Sequence, residues 1–393
     1  MNDNVYTLNI PTKVYFTHTL EETLFEHLRE NQYKNITLVI DHNLRQVALV
    51  DSLAKSLAQA FDCEVGWCTE AEPCYTYLDD FRLNFKKKDT DAVIGIGGGS
   101  TLDTAKAISV LMTNLEPAIT YRGFNQFKTP IPPVIAIPTT AGTGSEVTPN
   151  ASFVDAIQKK KMGINGEAIR PIAAFMAPAL TLSCPRSATI SAAIDSTVHS
   201  IEAFTAKKAT PIARFFAKKG FWEVANTLQA LIQDPDNLSY REQVMRGAFF
   251  SGIALMHSGT GPASAISYPL GVHSKIPHGY AGGLALPHVI EYNISQGVFD
   301  YAHFMTEQPE SKSQRQELSF EFLHTIKTLW ENVELYNVLT RHEIDESLES
   351  LFIQDVLDLA PALEQNPVPF GPAEISLILK KINEQKLSQV CLR

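Results

Sequence analysis

The first half of the chain alternates short apolar runs, rich in β-branched residues, with longer segments in which apolar positions recur every three or four residues. The short runs are typical of buried strands and the longer segments of amphipathic helices. Strand and helix alternating at this spacing predict a doubly wound, Rossmann-like parallel sheet. The predicted strands cover residues 36–41, 64–69, 91–95 and 133–138, and the predicted helices cover residues 20–31, 47–61 and 101–115.

The pattern changes near Pro185, where strand signals disappear and long stretches at helical period take over. We therefore predict two domains: an α/β domain over residues 1–184 and an all-α domain over residues 185–393. The predicted helices of the second domain cover residues 187–206, 211–231, 240–259, 313–337 and 373–386.

Composition narrows the classes of function. The 393 residues are 45% hydrophobic, which is ample for a buried core. With 33 basic and 43 acidic residues, the net charge is −10, so we expect no nucleic-acid partner. Because no apolar run approaches about 18 residues and the N-terminus lacks a signal pattern, we expect neither a membrane partner nor secretion. Five cysteines without a C-x-x-C pair predict reduced thiols in the cytoplasm.

A glycine-rich turn, Gly97, Gly98, Gly99 and Ser100, follows one predicted strand and opens a predicted helix. Glycines let the backbone approach an anion, and the N–H groups of a helix start face a bound phosphate. Ser100 and Asp103 also fit a capping box. The alternative is a flexible turn that only caps the helix, but the order of strand, glycines, cap and helix favours pyrophosphate binding.

A second polar loop leaves the strand that ends at Pro138. It carries four hydroxyls and two glycines within seven residues, and by itself it would be interpreted as a loop that satisfies its own backbone. Two such loops at strand ends in one sheet mark the ligand site of a doubly wound fold. Asp41, which ends another strand, would repel a 2′-phosphate and favours NAD over NADP. The hydroxyls of the loop belong to Thr139, Thr140, Thr143 and Ser145.

Asp195 and His199 lie four residues apart on the helix predicted over residues 187–206. Residues four apart project from the same face, so the pair can grip a divalent ion. The alternative is an ordinary Asp–His hydrogen bond on a polar face. Residues 268–279 contain His273 and His278, and their Pro and Gly predict a loop that delivers His278 to the same ion.

Together these motifs resemble the iron-containing (group III) alcohol dehydrogenases, relatives of glycerol dehydrogenase and dehydroquinate synthase. The resemblance covers about residues 10–295 and rests on GGGSTLDTAK, PTTAGTGSEVTPNASFVD, the Asp-x-x-x-His helix and PLGVHSKIPHGYAGGLALPHV. It implies a dehydroquinate synthase-like fold, with a dinucleotide-binding domain and a helical, metal- and substrate-binding domain. It further implies a homodimer that interconverts an alcohol with an aldehyde or ketone, using a nicotinamide cofactor and Fe²⁺ or Zn²⁺.

The resemblance also implies roles for individual positions. Asp195, His199 and His278 fall on metal-ligand positions. The candidate cofactor-binding residues are Asp41, Gly97, Gly98, Gly99, Ser100, Asp103, Thr139, Thr140, Thr143, Ser145, Lys161 and Leu182.

The chain departs from the family pattern at two positions, where typical members carry histidines and this chain has Ser264 and Tyr268. Three interpretations stay open. Asp195, His199 and His278 suffice as ligands, with water and substrate completing the shell. His273 replaces the missing ligand, or the metal has been lost. Where the metal is present, we expect the proton of the substrate hydroxyl to leave through Tyr268, His273 or water.

The segment GPASAISYPLG resembles members that act on nucleotide-sugar or lipopolysaccharide precursors. One of these oxidises the terminal hydroxyl of 3-deoxy-manno-octulosonate, so a sugar acid is the expected substrate. The carboxylate of such a substrate is expected to pair with a cationic side chain, and the candidates are Lys161, Lys275 and Arg122. Two alternatives remain: a dehydroquinate synthase-like lyase or cyclase, which would release phosphate, and an NAD-binding protein with a degenerate metal site.

Overall fold

The computed structural model describes residues 6–86 and 89–391, with side chains to residue 386. Contacts divide the chain into two compact units. Within the described ranges, the α/β unit comprises residues 9–189 and 235–245, and the helical unit comprises residues 6–8, 190–234 and 246–391. The sequence pattern does not indicate that residues 235–245 belong with the α/β unit. The domain boundary after residue 184 stays a prediction.

Two sheets lie in the α/β unit. The strands are β1 Lys13–Phe16, β2 Asn35–Asp41, β3 Asp62–Cys68, β4 Ala92–Gly97, β5 Gly123–Phe124, β6 Val134–Pro138, β7 Asn150–Asp155, β8 Lys160–Asn165 and β9 Ala173–Met176. Within the described ranges, six strands form a parallel sheet in the order β1-β9-β6-β4-β2-β3. This confirms the predicted parallel sheet, whose four predicted strands are β2, β3, β4 and β6.

Helices cover both faces of this sheet, which is why its central strands are apolar throughout. On one face, α1 and α2 pack on side chains such as Ile36 and Ile94. On the other face, α3 and α4 pack on Val39 and Val93. The three predicted helices of this half are confirmed as α1, α2 and α4. The helices are α1 Leu20–Glu30, α2 Ala48–Ala60, α3 Tyr75–Phe81 and α4 Gly99–Thr113.

The small sheet, in the order β5-β8-β7, was not predicted. Strands β7 and β8 pair antiparallel as a hairpin, with Lys159 at φ +53° in the turn. Polar residues interrupt both strands, and β5 has two residues, so the sequence carries little strand signal here. Lys161 therefore lies on a strand.

Among the described residues beyond 184, the structure consists of α-helices joined by turns and by two 3₁₀ helices, Leu335–Thr340 and Glu346–Leu348. The α-helices are α5 Arg186–Thr205, α6 Pro211–Ala225, α7 Leu228–Gln233, α8 Leu238–Ser258, α9 Pro262–Ser274, α10 His278–Ser295, α11 Ala302–Met305, α12 Lys312–Asn332, α13 Glu349–Leu357, α14 Ala360–Leu363 and α15 Pro372–Cys391. The single helix predicted over 211–231 is wrong, since α6 ends at Ala225 and α7 follows.

The loop predicted over residues 268–279 is also wrong, because residues up to Ser274 belong to α9 and His278 begins α10. Pro262 stands in the first turn of α9, where a missing N–H costs nothing. Most side chains of α9 are buried, so the helix lacks the one-sided apolar stripe that reveals helices in a sequence. Lys275, in the left-handed conformation, ends it.

In the described part of the chain, no helix is both long enough and apolar enough to cross a bilayer. Cys63, Cys68, Cys74 and Cys184 form no disulfide within the described residues, and the side chain of Cys391 lies outside them.

Candidate active site

The two polar loops lie against each other at the carboxyl edge of the parallel sheet. Strands β4 and β6 are neighbours with Gly97 opposite Pro138, and the Thr139 N–H donates to the Gly97 carbonyl at 2.9 Å. A Cβ atom on Gly99 would lie only 2.5 Å from Cγ2 of Thr143. Glycine at this position therefore permits the close approach of the loops.

Helix α4 begins two residues earlier than predicted, and the predicted capping box is wrong. Gly98 is the N-cap and offers no side chain, while Ser100 already lies within the helix. The Ser100 hydroxyl donates instead to the Ala71 carbonyl at 2.6 Å. Asp103 accepts from the Ser145 hydroxyl at 2.6 Å and from the Ser152 N–H at 2.8 Å. The glycine start of α4, without a capping side chain, keeps the character of an anion site.

A buried lysine that sequence reasoning missed ties α4 to the second loop. Lys106 donates through Nζ to the Ser145 hydroxyl at 2.8 Å, to the Thr148 carbonyl at 3.0 Å and to the Asn150 carbonyl at 2.7 Å. Burial lowers its pKa to about 8. The available signal was its spacing of three residues from Asp103 on the predicted helix.

The remaining cofactor candidates of the α/β unit differ in their surroundings. Asp41 ends β2, beside β4, at the point where the strand order reverses and where doubly wound folds bind ligands. Its carboxylate accepts from the Asn43 N–H at 2.9 Å. Leu182 is half-exposed in a short 3₁₀ turn. Lys161 forms an ion pair with Glu72 at 2.6 Å.

In the helical unit, three predicted ligands converge. Asp195 and His199 lie one turn apart on α5, and His278 is the first residue of α10. The Asp195 carboxylate lies 3.5 Å from Nε2 of His199 and 3.8 Å from Nε2 of His278. One ligand atom from each residue lies within 4.8 Å of the others, and Asp195 and His199 are buried.

These residues fit a single divalent ion. One carboxylate oxygen and two imidazole nitrogens are a donor set for Fe²⁺ or Zn²⁺, and the two-histidine, one-carboxylate combination recurs in iron sites. Nδ1 of His199 is buried, and no group in the described ranges forms a hydrogen bond with it. The other ring atom, Nε2, lies 3.5 Å from the Asp195 carboxylate and is the one that would face the ion.

Ser264, where typical family members carry a ligand histidine, is engaged by a buried carboxylate. Its hydroxyl donates to Glu202 at 2.5 Å, and Glu202 also accepts the N–H groups of Gly261 and Ala263. Glu202 therefore caps the first turn of α9, and its burial raises its pKa. Sequence reasoning missed Glu202, although its spacing of three residues from His199 places both on one side of α5.

The two catalytic candidates on α9, Tyr268 and His273, lie on different sides of the helix. The Tyr268 ring stands edge-on to the His278 ring, with centroids 4.9 Å apart. His273 follows five residues later, about 140° further round the helix. Its Nε2 lies 2.7 Å from the carboxylate of Asp355 on α13, a partner that sequence reasoning missed. The structure thus brings Tyr268, and not His273, to the three ligands.

Two family models match the chain. The first, iron-containing alcohol dehydrogenase, matches residues 11–178, and the second, the C-terminal part of the Fe-containing alcohol dehydrogenase family, matches residues 189–383. The chain belongs to the iron-containing alcohol dehydrogenase family, which confirms the resemblance seen in its motifs. It is an oxidoreductase of a family that works with NAD and iron, and the lyase and non-enzymatic alternatives are not favoured.

Individual relatives agree with this assignment. The NAD-dependent methanol dehydrogenase of Bacillus methanolicus is 32% identical over 277 residues, which cover 70% of this chain and 73% of that protein. Alcohol dehydrogenase 4 of Saccharomyces cerevisiae (strain ATCC 204508 / S288c) is 28% identical over 384 residues, covering 95% and 97%.

Solved structures share the fold. A 1,3-propanediol oxidoreductase aligns with a TM-score of 0.86 at 24% identity, covering 96% of this chain and 100% of that chain. A sulfoacetaldehyde reductase from Bifidobacterium kashiwanohense, in complex with NAD⁺, aligns with a TM-score of 0.84 at 22% identity, covering 96% and 98%. The predicted fold class, a parallel sheet followed by a helical part of dehydroquinate synthase type, is confirmed.

Proposed function

We propose that this protein oxidises a primary alcohol group on a sugar acid, with NAD⁺ as hydride acceptor and a divalent metal at Asp195, His199 and His278. The convergence of these three side chains from two helices is the observation that carries the proposal. When bound, the metal supplies a Lewis acid that stabilises the alkoxide form of the substrate hydroxyl. Iron is the proposed resident ion, and zinc suits the same donors.

Tyr268 is the proposed proton relay. Its ring packs against His278, so its hydroxyl belongs to the surroundings of the ligands. A phenol can donate and accept a hydrogen bond, whereas it is a poor partner for a divalent ion at neutral pH. His273, paired with Asp355 on another side of α9, has no part in this proposal.

The proposed cofactor site is the pair of loops after β4 and β6. Their glycines let the backbone approach the pyrophosphate, and the start of α4 offers N–H groups to it. Asp41 would accept hydrogen bonds from the ribose hydroxyls and disfavour NADP. This part of the proposal is supported by the packing of Gly98 and Gly99 against the threonines of the second loop.

Lys275 is the proposed partner of the substrate carboxylate. It is exposed at the turn between α9 and α10, three residues before His278. The other two cations that the sequence offers are held by acidic residues: Lys161 by Glu72, and Arg122 by Asp155 at 3.2 Å. This supports Lys275 as the cation that selects acidic substrates.

A substrate screen tests the proposal. NADH formation is followed with sugar acids such as 3-deoxy-manno-octulosonate and with neutral alcohols of similar size, using wild type and Lys275→Ala. We expect turnover of sugar acids, and a rise in KM in the variant for the acids alone. Phosphate release from a phosphorylated sugar without net NADH would instead indicate a lyase.

The wider setting is proposed from the family resemblance and, for the compartment, from the cysteine pattern. It comprises a homodimer in the cytoplasm, acting on precursors of lipopolysaccharide. Light scattering on the purified protein tests the first of these, since a homodimer would have twice the 43.5 kDa mass of the chain.

A further inference from the structure

A buried serine contacts one of the three ligand histidines. Ser267 lies on α9, and its Oγ is 3.0 Å from Nδ1 and 3.4 Å from Nε2 of His278. The same Oγ lies 2.6 Å from the carbonyl oxygen of Ser264. Ser267 is 1% exposed, so water does not compete for these contacts.

The contact with the carbonyl determines where the protons are. A hydroxyl has one hydrogen, and the Ser264 carbonyl can only accept, so the Ser267 hydrogen is directed to it. The Ser267 oxygen is left as an acceptor towards His278. Nδ1 is the nearer ring atom, at 3.0 Å against 3.4 Å for Nε2, so it is the nitrogen placed to carry the hydrogen of the neutral imidazole. That tautomer has its lone pair on Nε2, the atom 3.8 Å from the Asp195 carboxylate.

The Ser264 carbonyl is itself held in place. The Ser264 N–H and hydroxyl both donate to Glu202, at 3.2 Å and 2.5 Å. Hydrogen bonds thus run in one direction: from His278 to Ser267, then to Ser264, and from Ser264 to the buried carboxylate of Glu202. The serine that replaces the usual ligand histidine is the middle of this chain.

We infer that Ser267 is a positioning residue, which fixes the tautomer and ring orientation of His278 so that Nε2 faces the metal. The inference rests on the metal site of the proposed function. Partners of ligand histidines commonly change metal affinity about 10–100-fold when they are removed. With three protein ligands, the loss of one oriented imidazole is not compensated by the others.

Zinc binding to the full-length chain tests this role. Zn²⁺ affinity is measured by competition with a chromophoric chelator for wild type, Ser267→Ala, Ser267→Thr and the control Ser258→Ala. Ser258 is a buried serine whose hydroxyl has no hydrogen-bond partner within the described ranges. We expect affinity to fall about 10–100-fold in Ser267→Ala. Threonine keeps the hydroxyl, so Ser267→Thr and the control should stay near wild type.

A second readout separates orientation from folding. The ¹⁵N resonances of His278 in metal-free protein labelled at histidine report which ring nitrogen carries the hydrogen. We expect the Nδ1–H form in wild type and in Ser267→Thr, and a mixture of tautomers in Ser267→Ala. Unchanged tautomers and unchanged zinc affinity in Ser267→Ala would overturn the inference. If wild type itself binds no zinc, the metal site of the proposed function fails, and the tautomer result still decides the role of Ser267.

Discussion

Nε2 of His278 lies 3.8 Å from the carboxylate of Asp195, although His278 begins α10 and Asp195 lies on α5. A carboxylate and an imidazole at this distance either form an ion pair or bind the same metal ion. Here a second imidazole, that of His199, approaches the same carboxylate at 3.5 Å. Three donors around one point match a metal site better than a pairwise salt bridge.

Replacing Tyr268 by Phe removes the proposed proton relay and keeps the ring. We expect kcat to fall about 10²-fold, in the usual range for a lost acid–base group, with metal content unchanged. Tyr292→Phe, which removes a hydroxyl bonded to the Pro369 carbonyl, serves as the control. Steady-state kinetics and elemental analysis check both variants. Loss of metal in Tyr268→Phe would mean that the phenol is a ligand and that its assignment as a relay is wrong.

Replacing Gly98 by Ala tests the cofactor loop with only a small adjustment of its packing. The added Cβ would lie 3.3 Å from Cγ2 of Thr140, a side chain that can shift slightly, whereas Gly99 offers no such space. We expect NAD affinity to fall about tenfold or more, because the methyl group stands where the pyrophosphate approaches. Calorimetry measures this, with Gly371→Ala as the control, since its Cβ meets the nearest atom at 3.6 Å. Equal affinities in both variants would refute the loop assignment.

The buried carboxyl of Glu146, in the second loop, should make the stability of the protein depend on pH. Burial raises its pKa from 4.5 to about 7. The folded state therefore binds a proton more tightly than the unfolded state. The contribution of the protonated Glu146 carboxyl to the free energy of unfolding is complete below pH 4.5 and is lost as the pH rises through 7.

The isosteric variant Glu146→Gln isolates this effect. From pH 4.5 to 7, the free energy of unfolding of wild type should fall by about 3 kcal/mol relative to the variant. Thermal unfolding midpoints across this range measure the difference. Parallel pH profiles for the two proteins would show that folding does not raise the pKa of Glu146.

Asp355→Ala tests the position of His273. Removing the carboxylate leaves the His273 ring without its partner at 2.7 Å. We expect the free energy of unfolding to fall by about 1–3 kcal/mol while metal content stays the same. Asp358→Ala, on the exposed end of the same helix, is the control. Metal loss in Asp355→Ala alone would revive His273 as a substitute ligand.

Much of the fold follows from local pattern. The strands around Ile36 and Ile94 are continuous apolar runs, and the helices between them are amphipathic, so their periods are visible without any tertiary information. Helices α9 and α10 are not visible in this way, because they are apolar on nearly all sides and contain prolines. The short strands around the turn at Lys159 depend on pairing across a hairpin, which a local pattern does not encode.

The metal ligands were predictable where spacing or a motif carries them, as for Asp195 and His199 on one face of a helix. The residues that position them were not. Ser267 contacts His278 only because α9 ends and α10 begins at one short turn. Glu202 accepts a hydrogen bond from Ser264, which is far from it in the sequence. The prediction of a capping box at Ser100 was wrong because the helix begins at Gly99.

Elemental analysis by plasma mass spectrometry tests the central claim most directly. The protein is purified without chelator or histidine tag, as wild type, as His278→Ala and as the control His324→Ala, a change at an exposed histidine. We predict about one iron per chain in wild type and in the control, and a loss of bound metal in His278→Ala with the fold retained. Wild type that holds no metal, even after anaerobic loading with iron or zinc, would contradict a metal-dependent oxidation at these three residues.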